Sequence, residues 1–146
     1  MPLPHFERTG DLPAGLHRAT LEEVLARFGT GSTRRRDVAA WLLRICRTAR
    51  ATRKLDRFII FGSFITTKPD PNDVDIILVM RDDFVLENCA GVTRKLFEHE
   101  EAEEEFGASI FWIRPSLLLL ETLDEFLSHW QLKRDRTRRG IVEVIE

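Results

Sequence analysis

The stretch FGSFITTKPDPNDVDI, residues 61–76, joins two apolar segments through a glycine, a serine and a loop that contains two prolines. Asp73 and Asp75 stand one residue apart where the second apolar segment begins. Because side chains alternate between the two faces of a strand, both carboxylates are predicted to project from one face, about 6.5 to 7 Å apart. Carboxylates this close repel each other and lose hydration, so we expect a cationic group between them.

The residue types in this stretch are those of a site for a metal and a phosphate. Magnesium prefers oxygen ligands and is commonly held by one or two carboxylates together with substrate phosphates, which Asp73 and Asp75 would suit. Gly62 permits close approach of the backbone, and Ser63 with the turn after it can hold an anion. Lys68 either contacts a phosphate or lies in solvent. The stretch therefore predicts a site for Mg²⁺ and a nucleoside triphosphate (NTP).

Purely structural roles would explain the same residues. Asp73 follows Pro71 and Asn72, which are typical turn residues, and Asp75 could then cap the turn or form a salt bridge. Ser63 could be the N-cap of a helix that begins with the letters FITT, a role compatible with anion binding.

Length and composition predict one domain over residues 1–146, because 146 residues with 43% hydrophobic and 32% charged side chains are ordinary for a single globular unit. Apolar runs predict a small mixed β-sheet flanked by helices, an α/β (α+β) fold. The predicted strands are RFIIFGS (57–63), DVDIILVM (73–80), ASIFWIR (108–114) and IVEVI (141–145). The second run is apolar on both faces after Asp75, as in a sheet covered on both sides.

Helix signals surround these strands. Thr20 and Glu23 form a capping box for a helix that Gly29 ends, and a longer helix runs from Ser32 or Thr33 to about Arg53, which gives an N-terminal helical pair. We also expect an extended arm over the first dozen residues, helical structure over 83–106 with a break at Gly91, and a leucine-rich helix over 115–129.

Charge and cysteine content bear on the partners and the cellular compartment of the protein. The formal net charge of -2 predicts no general affinity for nucleic acid or membranes, and no apolar run reaches the roughly 18 residues of a membrane span. We expect a cytoplasmic protein whose Cys46 and Cys89 are buried free thiols. Arg34, Arg35 and Arg36, and the basic residues of 133–139, either contact an anionic partner, lie in solvent or pair with the acidic helix. The three tryptophans, Trp41, Trp112 and Trp130, are expected in the core.

The motif GSFITTKPDPNDVDI resembles the signature of the polymerase-β-like nucleotidyltransferase superfamily and is nearest to its minimal nucleotidyltransferases. Together with LPAGLHRAT, RFG and RGIVEV it is similar to a family of small bacterial proteins of that fold. The resemblance implies transfer of a nucleoside monophosphate from an NTP to a protein or RNA hydroxyl by a two-metal mechanism. In it, Gly62, Ser63 and Lys68 would bind the nucleotide, and Asp73 and Asp75 would be catalytic and bind Mg²⁺. It also implies a protein partner, as in toxin–antitoxin pairs.

The resemblance further implies a third carboxylate on the strand 108–114, which contains no acidic residue. Ser109 or Phe111 stands where that acid would be, and Glu105 or Glu143 would have to replace it. A second hypothesis follows from this difference. The chain could be a catalytically degenerate member of the fold that acts as a binding or regulatory module, either as a homodimer or with a protein partner.

Overall fold

A five-stranded mixed sheet forms the centre of the protein in the computed structural model, which describes residues 3–145. The strands are β1 (Leu16–Thr20), β2 (Leu55–Phe61), β3 (Val74–Met80), β4 (Ala108–Ile113) and β5 (Ile141–Ile145). The helices are α1 (Leu21–Phe28), α2 (Thr33–Ala51), α3 (Gly91–Lys95), α4 (His99–Phe106) and α5 (Leu123–His129). Short 3-10 helices cover Ser63–Ile65, Leu86–Asn88 and Pro115–Leu117. This architecture confirms the predicted mixed sheet flanked by helices.

The strand order is β1-β5-β2-β3-β4. The central strand β2 pairs antiparallel with both β3 and β5, whereas β1 runs parallel to β5 and β4 runs parallel to β3. The last strand in the chain therefore lies between the first strand and the second. Because β3 and β4 are parallel and in register from Val74 and Ala108, the beginnings of both strands meet at one end of the sheet.

Helices cover both faces of the sheet. The larger core lies between one face and helices α1, α2 and α4, and the smaller core lies between the other face and α5. All residues from Ile76 to Met80 of β3 are fully buried. This burial on both faces explains why β3 reads as an uninterrupted apolar run, as predicted.

The helical boundaries differ from the predictions in two segments. Residues 83–106 form two short helices, α3 and α4, and Gly91 begins α3 instead of interrupting a longer helix. Residues 115–129 form a short 3-10 helix at Pro115–Leu117 and an α-helix only from Leu123, where Thr122 and Glu125 make a capping box. Leu119 and Leu120 precede that cap and are 89% and 100% exposed. Their apolar character suggested a helix that the backbone does not form.

The strand β1 was not predicted. Its five residues, LHRAT, pair with β5 at the other end of the chain, so no local pattern marks them as a strand. The N-terminal arm before it contains no helix or strand over residues 3–15, as expected, and its Leu12 is buried in the larger core.

Candidate functional site

Asp73 and Asp75 lie at the start of β3, next to the start of β4. Asp75 is paired in register with Ser109, so the two side chains lie on the same face of the sheet. The Ser109 hydroxyl donates a hydrogen bond to Asp73 Oδ2 at 3.2 Å. A serine hydroxyl therefore lies beside the two carboxylates, and the cationic group expected between them stays a prediction.

The environment of both aspartates disfavours their charged forms. Burial raises the pKa of Asp75 to about 6, and the neighbouring charge of Asp73 adds to this effect, whereas Arg139 and the Ser109 hydroxyl oppose it. Burial also raises the pKa of Asp73, and the charge of Glu103 adds to the shift, whereas the Ser109 hydrogen bond and the charge of Lys68 oppose it. Two carboxylates whose negative charge is under-compensated form a place where a divalent cation would be favoured.

Gly62 follows β2 directly and lies against the Asp75 carboxylate. Its φ of 84° and ψ of -165° are open almost only to glycine. A Cβ placed at this position would lie 2.0 Å from Asp75 Oδ2. The missing side chain is thus what allows the carboxylate to rest on the backbone between β2 and the following turn.

Substituting Gly62 by alanine tests this contact. We expect Gly62→Ala to lower the free energy of unfolding by about 2 to 4 kcal/mol, because backbone strain and the overlap with Asp75 add together. The matched control is Gly31→Ala, since Gly31 also has a positive φ, of 100°, but no atom lies within 4 Å of its added Cβ. Urea denaturation of both variants measures the difference, and equal losses would show that the contact with Asp75 is unimportant.

Ser63 is the first residue of the 3-10 helix Ser63–Ile65, and its side chain does not cap that helix. The predicted N-cap role is therefore wrong, because the N-cap position is occupied by Gly62, which has no side chain to cap the helix. The Ser63 carbonyl accepts hydrogen bonds from the amide and hydroxyl of Thr66. Among residues 3–145 no group is hydrogen-bonded to the Ser63 hydroxyl, which leaves it available to a ligand.

Arg35 of α2 holds the loop between Ser63 and Asp73 in place. This guanidinium is 7% exposed and donates hydrogen bonds to four main-chain carbonyls, those of Phe28, Phe64, Thr66 and Lys68. Burial lowers its pKa, against the raising effect of the charge of Asp70. Arg35 therefore has a structural role, which is none of the alternatives considered for Arg34–Arg36, namely an anionic partner, solvent or the acidic helix.

Lys68 is exposed in this loop, and its charge acts on Asp73. Its backbone is held at both ends of the residue, since its amide donates to Thr66 Oγ1 and its carbonyl accepts from Arg35. The backbone that carries the Lys68 ammonium group is thus fixed near Asp73. Both alternatives for Lys68, contact with a phosphate and exposure to solvent, agree with this position.

Neither acid considered as a replacement for the third carboxylate is free to serve. Glu105 pairs with Arg44 at 2.6 Å and with Lys95 at 3.5 Å. Glu143 receives two hydrogen bonds from Arg57, at 3.0 and 2.7 Å, and lies 3.4 Å from Arg18. Burial alone would raise the pKa of Glu143, but the hydrogen bonds and charges of Arg57 and Arg18 together outweigh it, so the pKa is lowered. Both carboxylates are committed to cations of the scaffold.

Glu103 of α4 is the further carboxylate whose charge acts on Asp73. It also lies 3.1 Å from His99 Nε2, and the His99 ring is 5.1 Å from that of Phe111 on β4. A helix thus brings an acid toward Asp73 where the strand offers only a serine. Spacing along the chain gives no signal of this, because α4 reaches the site only once it has packed against the sheet.

An open pocket of about 630 Å³ lies on the same face of the sheet, beside Asp75. It begins at Phe61, which is paired in register with Asp75. Its other walls come from α5 and the loop after it, namely His129, Trp130, Leu132, Lys133, Arg134, Asp135 and Arg139. Sequence reasoning missed this pocket, because β2 and residues 129–139 become neighbours only in the folded chain.

The tryptophans and cysteines were predicted to be buried, and most of them are at least half-buried. Trp41 and Trp112 are half-buried against the larger core, and Trp130 is half-buried against the smaller one but also lines the pocket. Cys46 is buried as expected, whereas Cys89 is only half-buried, so its predicted burial is wrong.

The protein itself offers few ligands for a metal. Among the described residues 3–145 no group of three or more His, Cys, Asp or Glu side chains is placed to hold a metal ion. Two carboxylates without a third ligand fit magnesium that arrives with phosphate oxygens better than a metal bound by protein alone. None of the helices in residues 3–145 is long and apolar enough to cross a membrane.

Comparison with known proteins gives one match. A model of the "Family of unknown function (DUF6932)" matches residues 4–145, which is nearly the whole chain. No curated protein and no solved structure gives a significant match.

Proposed function

The chain belongs to the DUF6932 family, and from its geometry we propose that it binds a magnesium–NTP complex and transfers a nucleoside monophosphate to a hydroxyl group of a protein or RNA. One observation carries this proposal. Asp73 and Asp75 lie on one face beside the Ser109 hydroxyl, with charge that the protein does not neutralise, next to a glycine that leaves room for the Asp75 carboxylate.

The resemblance of GSFITTKPDPNDVDI to nucleotidyltransferases supports the same assignment. Asp73 and Asp75 would hold Mg²⁺, which when bound neutralises phosphate charge and orients the reacting groups. The Ser63 hydroxyl would donate a hydrogen bond to a phosphate oxygen, and the Lys68 ammonium would approach the same phosphates. The fixed backbone of the loop keeps both groups in place, because Arg35 holds the carbonyls at Phe64, Thr66 and Lys68.

In the transfer, the acceptor oxygen forms a bond to the α-phosphorus, the bond to the bridging oxygen of the β-phosphate breaks, and pyrophosphate leaves. The hydroxyl proton must pass to a base. We assign this role to Glu103, because it is the further carboxylate whose charge acts on Asp73. β4 offers Ser109 in place of an acid at the position in register with Asp75.

That serine favours a second candidate function. Without an acid on β4, and with Glu105 and Glu143 engaged by arginines and a lysine, the site could bind nucleotide without transferring it. The protein would then be a nucleotide-responsive binding module, acting as a homodimer or, like an antitoxin, on a protein partner. Binding and transfer are therefore measured separately.

The test is calorimetric titration of each NTP into the protein with and without Mg²⁺, followed by intact-mass measurement of the protein and of candidate acceptors. We expect binding that requires Mg²⁺ and disappears in Asp73→Asn/Asp75→Asn. The control is Asp37→Asn, which removes an exposed aspartate of α2.

A mass gain of one nucleoside monophosphate would establish the transferase, and binding without a mass gain would favour the binding module. Unchanged NTP affinity in the double variant would show that the carboxylates are not the ligand site.

A further inference from the structure

The pocket beside Asp75 combines aromatic and cationic walls. Trp130 is half-buried, and its ring centroid lies 4.7 Å from that of Phe61 and 5.1 Å from that of Phe111. Both Trp130 and Phe61 also line the open pocket. The planes of Phe61 and Phe111 are tilted by 51° and 42° to that of Trp130, so a planar base would stack on the Trp130 ring with Phe61 beside it. Every nucleobase has a face that can stack in this way.

The cations of the pocket are partly neutralised by a buried acid. Asp11 of the N-terminal arm is 5% exposed and pairs with Lys133 at 2.7 Å and with Arg139 at 3.5 Å. Arg134 is exposed and makes no hydrogen bond or ion pair with another group of residues 3–145. The carboxylate of Asp135 accepts hydrogen bonds from the amide and hydroxyl of Thr137 within its own loop. The walls thus keep an excess of positive charge that suits phosphate.

Position connects this pocket to the carboxylates. Phe61 lies opposite Asp75 in the β2–β3 ladder, and Arg139 both lines the pocket and acts by its charge on Asp75. A ligand with its ring against Trp130 could therefore extend its phosphates past Arg139 to Asp75. The volume of about 630 Å³ is within the range that pockets for small ligands occupy.

We propose that this pocket is the nucleoside subsite of the protein, in which the base of an NTP stacks on Trp130 beside Phe61 while its phosphates point toward Asp75. The inference rests on the proposed binding of Mg-NTP and adds the part of the site that recognises the nucleoside. Stacking on a flat ring is tolerant of base identity, so the four common NTPs bind with affinities within a few-fold of one another.

The experiment compares two ligands that differ only in having a nucleoside, Mg-NTP and Mg-tripolyphosphate. Trp130→Leu weakens NTP binding about tenfold, the size expected for loss of one stacking contact, and leaves tripolyphosphate binding unchanged. Trp130→Phe retains most of the NTP affinity. The matched control is Trp112→Leu, because Trp112 packs against Phe84 and Phe97, away from the pocket.

A second measurement avoids replacing Trp130. In Trp41→Phe/Trp112→Phe, the fluorescence that remains comes from Trp130, since the chain has three tryptophans. NTP quenches this fluorescence and tripolyphosphate does not. Equal losses of both ligands in Trp130→Leu, or no loss of either, would overturn the inference and leave the metal site standing. Failure of the unmodified protein to bind either ligand would overturn the proposed function along with it.

Discussion

Asp75→Asn is expected to stabilise the protein at pH 7 and at the same time to abolish its Mg²⁺-dependent binding of NTP. The carboxylate is ionised at pH 7 although burial has raised its pKa to about 6, so the native state bears the cost of a desolvated charge next to Asp73. Asparagine removes that charge and keeps an oxygen that can accept from Ser109. Allowing for partial solvation, we expect a gain of about 1 to 2 kcal/mol in the free energy of unfolding.

The raised pKa of Asp75 determines how the stability gain from Asp75→Asn changes with pH. The folded-state pKa of Asp75, about 6, lies above the ordinary value of 3.8, so between these values the native state binds a proton that the unfolded state does not. The stabilising contribution is complete below pH 3.8 and is lost as the pH rises through 6. The advantage of Asp75→Asn over the unmodified protein should therefore be largest at pH 7 and vanish near pH 4.

Denaturant unfolding at a series of pH values measures this difference directly. Comparison of the two proteins cancels the titration of groups that do not interact with Asp75, whereas Asp73, which does interact with it, contributes to the difference. If Asp75→Asn were less stable than the unmodified protein at pH 7, the carboxylate would be a structural cap and the metal assignment would lose its main support. Addition of Mg²⁺ with NTP should raise the melting temperature of the unmodified protein at pH 7 and leave that of Asp75→Asn unchanged.

Arg35→Ala is expected to lower the free energy of unfolding by about 3 kcal/mol, the largest loss we expect from a single arginine in this chain. The substitution removes the donor for four carbonyls at once, in α1 and in the loop that precedes Asp73. Those carbonyls would remain in the interior with fewer partners, and the loop that carries Lys68 would lose its support.

Arg36→Ala is the matched control, because Arg36 is the next residue of the same helix and is exposed, and among residues 3–145 its side chain is bonded only to Thr33. Its loss should stay within about 0.5 kcal/mol. Arg35→Lys should fall between the two, since one ammonium group cannot reach the positions that the planar guanidinium reaches. Urea denaturation with comparison of m-values measures all three, and similar losses for Arg35→Ala and Arg36→Ala would contradict the structural role.

The sequence predicts the part of this fold that local patterns encode. Four of the five strands stand out as apolar runs, and the capping box of Thr20 and Glu23 marks the start of α1. The strand β1 has no such mark, because its five residues become a strand only by pairing with β5. Leu119 and Leu120 misled the helix prediction, since the spacing of apolar residues does not reveal whether anything covers them.

The candidate site divides in the same way. That Asp73 and Asp75 share a face follows from alternation along one strand, and the glycine and serine of the turn are next to them in sequence. Ser109, Glu103 and Trp130 come from other elements, and their places depend on the register of β4 with β3 and on the packing of α4 and α5. One sequence contains no signal of register between distant strands, so Glu103 and Trp130 could only be found in the folded chain, and Ser109 was placed at the site only through the resemblance.

The position of β5 between β1 and β2 has a consequence for the synthesis of the protein. Phe58 of β2 pairs with Val144 of β5, so β2 leaves the ribosome long before its second neighbour has been made. At about 5 to 20 residues per second the delay is roughly 4 to 17 seconds. During this time one edge of β2 has no partner, and unpaired edges associate readily with other chains. Nascent chains are therefore most open to misassociation in this interval, and slow translation of residues 62–140 would lengthen it.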